Sequence, residues 1–417
     1  MLRLPLRARK SGLVSGIAMA MALAGGAVVA TAVTPTEAHA QEYSKQFKEV
    51  YGKTAEHVTA ETPDWNAAKA MLPALAAAAK NADEIFAAGQ MHLQVGNAIS
   101  DTGLQRQGLK MSLESGKVPP EKLGTFNWYA GQLAFQAEDW AVARDYMTAA
   151  GAAGYAEGDP NPIILQTYMR ADDIPGALGF IRTYSASQVE AGGMPNENML
   201  QLGLKAAYES DMSQDVIDFG TMLVTHYPTE QNWIYATQTI AAVGQFEPQA
   251  QLDLLRLQRE AASLQQPLEY YEYAEAAGYQ TMGAEVVSVI DEGVAAGHIS
   301  TGDTIYTEAY PEAKRRAAMD RKEAPGLVAE ARAASTGQLA QGTGDAFFSY
   351  GAYAEAEDMY STALEKGVKD RQMVTTRVGI AQARQGKLAE ARETFASVGG
   401  PREPIAKLWI AYIDSQM

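Results

Sequence analysis

The chain reads as an all-α solenoid, and three observations predict it. First, a helical motif recurs: Gly351, Tyr353, Ala356, Tyr360 and Ala363 are matched by Gly386, Leu388, Ala391, Phe395 and Val398, each 35 residues further on. Inside a copy, a small residue is followed by a large one four later and a further small or apolar one three beyond, which is one face of a helix. Second, the motif appears upstream at nearly the same period: Ala143, Met147 and Ala150 precede Ala177, Ile181 and Tyr184 by 34 residues. Third, the helix before several copies carries a small residue behind an apolar one, at Ala130-Gly131, Leu202-Gly203 and Val378-Gly379. Such a slot is what two closely packed helices of a hairpin require. A fixed period of this size marks stacked helical hairpins that bury a continuous core only by stacking.

Taken in order, the chain opens with Arg3, Arg7, Arg9 and Lys10, an apolar run from Leu13 to Val33, and Ala38-His39-Ala40. Basic region, apolar region and A-x-A site compose a secretory signal peptide over 1–40, expected to be cleaved after Ala40. An uncleaved membrane anchor is the other reading, disfavoured by Gly25-Gly26 and by the small residues before the cut. Residues 41–60 form a weakly amphipathic N-terminal segment. From 61 to 293 the repeats follow one another, beginning with Trp65, Ala68, Leu72 and Leu75 on one stripe. Asp215 and Gln249 depart from the small second-helix residue, and Tyr271 occupies a slot meant for something small. Between 294 and 336 the register breaks, leaving either a degenerate repeat or a helical insert. Two regular repeats occupy 337–398. Pro404 then opens a final helix, 399–417, whose Ile405, Leu408, Trp409 and Tyr412 share one face and would cap the last repeat.

The period, the W/L-G-x-x-Y type first helix and the A-x-x-x-F second helix resemble the tetratricopeptide repeat (TPR) family. The resemblance covers most of residues 61–398. It implies a right-handed α-solenoid of stacked antiparallel helix pairs, and an exported bacterial protein of that type. It also implies a concave groove, lined by first helices, that takes a peptide or a protein helix.

Composition narrows the function. The net charge of −16 opposes binding to nucleic acid and to anionic membrane. No cysteine is present, so thiol nucleophiles, disulfides and cysteine metal sites are excluded. Beyond the first 40 residues no run approaches membrane-spanning length. The remaining histidines, His57, His92, His226 and His298, fall in different repeats, and no phosphate-binding, metalloprotease or nucleophile-elbow motif occurs. Gly342-Thr343-Gly344 lacks a third glycine and reads as a loop. Leu113-Glu114-Ser115 carries the Glu-Ser dipeptide of lytic transglycosylases, without the flanking residues of that motif. The sequence therefore predicts neither catalytic nor metal-binding residues and no cofactor. A basic cluster, Lys314-Arg315-Arg316 with Arg321-Lys322, reads as a solvated helix face paired with Glu312, Asp320 and Glu323. Docking to an acidic partner or to phospholipid heads is the sharper alternative.

If first helices line a groove, the contact residues are Trp128, Tyr129, Gln132, Gln166, Gln201, Tyr208, Tyr235, Gln238 and Glu272. Glutamines both donate to and accept from an extended backbone, and aromatic rings supply apolar area. The same residues would equally serve to pack one repeat on the next. An aromatic, glutamine-rich groove with an acidic end suits a protein or peptide of apolar and basic character. The expectation is thus a non-catalytic interaction scaffold of the cell envelope, periplasmic in a two-membrane host. A helical envelope enzyme and a self-assembling structural protein are the alternatives.

Overall fold

A computed structural model describes residues 43–417. The expected signal peptide lies outside the described residues. Among them the chain forms twenty α-helices and no strand, in two compact units, 43–171 and 172–417.

Unit 1 stacks α1 (Lys45–Thr59) on α2 (Trp65–Ala78), α3 (Ala82–Ala98) on α4 (Thr102–Glu114), and α5 (Pro120–Gln136) on α6 (Trp140–Ala152), ending in α7 (Asn161–Arg170). The weak stripe of 41–60 is thus the first helix of the first pair, with Phe47 fully buried. Helix starts follow the sequence: Ser44, Asp64, Asn81 and Asp101 each accept an amide hydrogen bond from the first turn.

Unit 2 opens with α8 (Ile174–Glu190). The pairs α9 (Glu197–Glu209) with α10 (Ser213–His226), α11 (Glu230–Val243) with α12 (Pro248–Glu260), and α13 (Pro267–Ala277) with α14 (Gly283–Ala295) follow. Then comes α15 (Thr304–Ala333), one helix of 30 residues packed on α14 and on α16 (Gln338–Ser349). Where the sequence leaves 294–336 open between an eroded repeat and an insert, the chain makes this single long helix. It passes through Pro311 and Pro325, both of which face solvent. The regular pairs α16 with α17 (Tyr353–Lys366) and α18 (Arg371–Arg384) with α19 (Leu388–Ala396) complete the repeats before α20 (Glu403–Gln416). Gly342-Thr343-Gly344 is not a loop: it lies inside α16, and the absence of a third glycine says nothing against a helix.

The packing slot expected from the sequence is present, and it recurs at a fixed offset. A Cβ added to Gly131 would meet Met147, one on Gly203 would meet Phe219, one on Gly344 would meet Tyr360, and one on Gly379 would meet Phe395, all within 3.0 Å. Each large side chain lies sixteen residues after its glycine. The α13–α14 pair inverts the device, with the large ring at Tyr270 on the first helix against Gly293 on the second. Turns between paired helices also share a conformation. Glu138, Asp211 and Gln245 have positive φ (59°, 57° and 42°) at the place where Gly351 and Gly386 stand in the last two pairs.

The stack of unit 2 does not end at its last repeat. Helix α20 packs on α19 and returns to α10 and α12, while α18 also touches α12. Trp409 is fully buried, stacked on Phe395 at 5.5 Å, and its Nε1 donates to the Asp253 carbonyl at 3.2 Å. Tyr412 sets its ring edge-on to Trp233 at 6.1 Å and donates to the Glu260 carbonyl. As a result α12 is surrounded: every residue from Leu252 to Gln258 is buried. The final helix caps the last pair, as the sequence predicts, and also closes unit 2 on its own middle.

Candidate functional site

Two features of unit 2 concentrate polar chemistry: a row of first helices, and a charged network around α12.

The row consists of α9, α11 and α13. Its glutamines tie one first helix to the next. Gln201 Nε2 donates to Asn232 Oδ1 at 3.0 Å, and Asn232 Nδ2 donates to Glu197 at 2.8 Å. Gln238 Nε2 donates to Glu269 at 2.9 Å, and Gln265 Nε2 donates to Glu230 at 3.2 Å. The amides of Gln201 and Gln238 therefore hold the stack together, and their donors do not stand free for a ligand. Tyr208 is different, 45 % exposed at the end of α9. Tyr235 on α11 is half-buried; burial and the neighbouring Glu209 raise its hydroxyl above the ordinary tyrosine range. On α13, Glu272 is half-buried, and burial, followed by Glu269 and Glu275, raises its carboxyl above the usual 4.5. Three acids at helical spacing form an electronegative end to the row.

The remaining predicted residues belong to unit 1. Trp128 is stacked at 4.7 Å on Tyr155, a residue of the loop after α6, so one face of the indole is already covered. Tyr129 packs against the cluster of Leu93, Leu109, Phe126 and Leu133. Gln132 is half-buried on α5, and Gln166 is exposed on α7.

The charged network was not anticipated from sequence. Arg256 is fully buried on α12, its Nη1 donating to Asp253 at 2.7 Å and its Nε and Nη2 to Glu285 at 2.8 and 2.7 Å. Tyr273 donates to Glu285 at 2.7 Å, and the guanidinium lies 4.5 Å over the Phe348 ring. Arg402, just before α20, donates to Asp253 at 2.5 Å and also pairs with Glu247. Arg377 on α18 reaches Asp345 at 2.6 Å and bonds Gln249, while Arg384 pairs with Glu260. The two residues that seemed to interrupt the repeat pattern thus have partners: Gln249 receives α18, and Asp215 takes Arg182 of α8 at 2.6 Å. Burial pushes Glu285 up, but the facing Arg256 and the Tyr273 hydroxyl outweigh it and hold the carboxyl at about 2. It stays ionised at neutral pH, which suits holding helices together and not proton transfer. A signal did exist in sequence. Asp253 and Arg256, both on the second helix of a pair, stand three apart among leucines, where a charge has to be paired once buried.

Other titratable candidates are held structurally. His92 is buried, its Nδ1 against the Ala88 carbonyl at 2.8 Å, and burial lowers its pKa. Burial likewise lowers His226 at the end of α10. Glu114 is an exposed partner of Lys110, and Ser115 donates to the Ser112 carbonyl at 2.6 Å. Among the described residues, no three His, Asp or Glu are grouped to hold a metal, and no helix is long and apolar enough to cross a membrane. On α15, Arg315 pairs with Glu312 at 3.0 Å on a solvated face, whereas Arg316 pairs at 2.8 Å with Asp320, which is buried, and Arg321 turns over the Tyr350 ring.

No family model matches the chain, and no curated protein matches it. Among solved structures the chain is similar to the crystal structure of yeast Tom70, at 8 % identity and a TM-score of 0.22, over 90 % of this chain and 96 % of that one. A similarity of that degree carries no argument, and the TPR-like repeat fold rests on this chain's own helix pairs, their glycine slots and their shared turns.

Proposed function

We propose that the protein is a non-catalytic scaffold that binds a segment of a protein partner along α9, α11 and α13. The observation that carries this reading is which helices the C-terminal return covers. It packs mainly on the second helices α10 and α12, and it reaches the row at Trp233 of α11 through Tyr412. That row keeps Tyr208 exposed and Tyr235 half-exposed, and it ends in the Glu269, Glu272 and Glu275 acids. Apolar contact at the tyrosines and a basic group at the acidic end describe the partner, an extended or helical segment of apolar and basic character. The signal-like start supports export to the cell envelope, periplasmic in a two-membrane host, as the place where this partner is met.

The test places a photo-crosslinking residue at position 208 in the native host, identifies the captured segment, and measures its affinity as a synthetic peptide. Replacing Tyr208 and Tyr235 together with Ala is expected to weaken that affinity by about 2 kcal/mol, roughly thirty-fold, with unchanged helical circular dichroism. Equal affinity in the double variant overturns the proposal.

A further inference from the structure

A cavity of about 200 Å³ opens within unit 2, independently of the first-helix row. Three guanidiniums from three helices line it: Arg259 of α12, Arg321 of α15 and Arg384 of α18. Ser288, Tyr350 and Tyr353 complete its polar wall. In a chain of net charge −16, such a convergence of cations is unexpected. The acid in the lining, Glu285, is already engaged by Arg256 and Tyr273.

The three arginines are held in place: Arg259 makes a two-pronged pair with Glu292, Arg384 pairs with Glu260, and Arg321 meets an aromatic face. Arg384 lies 5.6 Å over the Tyr353 ring and Arg321 5.9 Å over Tyr350, so aromatic faces fix their planes. Arg384 bonds Glu260 through Nη2, while its Nε is buried and has no hydrogen-bond partner. Arg259 pairs with Glu292, whose side chain is 51 % exposed, so solvent screens that pair at the rim. One helix also begins at this cavity: Tyr353 starts α17, and Ala352 before it supplies no side-chain cap. Its amide end carries partial positive charge and adds to the guanidiniums. At the start of α14 the Glu285 amide is taken by the Ser349 hydroxyl at 3.0 Å.

We propose that this cavity binds a small, multiply charged oxyanion of the phosphate or polycarboxylate class. Guanidinium forks match planar or tetrahedral oxygens two at a time, which a monatomic halide does not offer. The volume suits an anion between phosphate and citrate in size and is smaller than the cavities that hold drug-sized ligands.

The test is calorimetric titration of the full chain with inorganic phosphate and, separately, with citrate, at constant ionic strength set by sodium chloride. Saturable binding of one or both is expected, and which of them binds assigns the oxyanion. Arg321→Gln, at an exposed position of α15, is expected to weaken binding about ten-fold with an unchanged circular dichroism spectrum. Glu292→Gln removes the carboxylate that competes for Arg259 and is expected to tighten binding, an outcome that loss of fold does not produce. Absence of binding by both anions, or wild-type affinity in both variants, overturns the proposal.

Discussion

A guanidinium sealed inside a protein is tolerated when every face of it is met, and Arg256 is met by Asp253, Glu285 and the Phe348 ring. The same balance makes the fold sensitive to acid. Glu285 has its carboxyl depressed from 4.5 to about 2 in the folded chain. A depressed acid contributes stability that is fully present above its unfolded pKa and is lost as the pH falls through the folded one. Thermal unfolding of the chain is therefore expected to lose roughly 3 kcal/mol from this group between pH 4.5 and 2. In Glu285→Gln the Arg256 charge is left half-paired, costing about 3–5 kcal/mol at neutral pH, and the acid sensitivity over that interval shrinks. A variant whose midpoint falls with acid as steeply as wild type would contradict the assignment. At this scale the sequence was legible where residue type and geometry agree. Gly351 and Gly386 announce their left-handed turns, while Glu138, Asp211 and Gln245 adopt the same turns without any residue signal. Their neighbours impose the conformation, and single-residue preferences do not report that.

Among the elements, α12 and α20 decide the shape of unit 2. The apolar stripe of Ile405, Leu408, Trp409 and Tyr412 was readable as one face of a helix, and so was its need for cover. Its destination was not, because a periodic stripe shows which face is buried and not which distant helix it meets. For α12 periodicity fails altogether: a helix enclosed by α11, α13, α18 and α20 has no solvent side to alternate with. That is why the repeat pattern alone did not place Asp253 and Arg256 in the interior. Removing the Trp409 ring is expected to cost about 3–5 kcal/mol, since it leaves a cavity between Phe395 and the Asp253 carbonyl. Chemical denaturation of Trp409→Ala measures this directly. A loss below about 1 kcal/mol would mean that the return of α20 contributes little to stability. The single helix α15 was half legible in the same sense. Its charge was evident, but its unbroken length was not, and Pro311 and Pro325 both sit on the solvent side of one continuous helix.

For unit 2 as a whole, closure changes the thermodynamic class of the protein. An open repeat array gains stability from neighbour to neighbour and unravels from its ends. Here Arg402 reaches Asp253 across 149 residues, and Trp409 reaches the same residue across 156. Residues 172–417 are accordingly expected to unfold as one cooperative transition, with hydrogen-exchange protection as high in α20 as in α12. Early, separate loss of protection in α20 would show instead that the end of the chain frays. The row α9, α11 and α13 was the more legible part of the candidate site, because tyrosines and acids at helical spacing mark a face. The arginine cavity was not, since its three cations come from positions 259, 321 and 384, on three different helices.

The return of α20 also has a consequence in time. Ordinary repeats acquire structure as they emerge, each on the one before, but α12 cannot be enclosed until α20, some 150 residues downstream, is made. Until then the sides of α10 and α12 that meet α20 stay bare, and joining positions separated by some 150 residues is entropically slow. The newly made chain therefore passes through an interval in which its repeats are formed and it is most adhesive, and whatever shields it then has the second helices to hold.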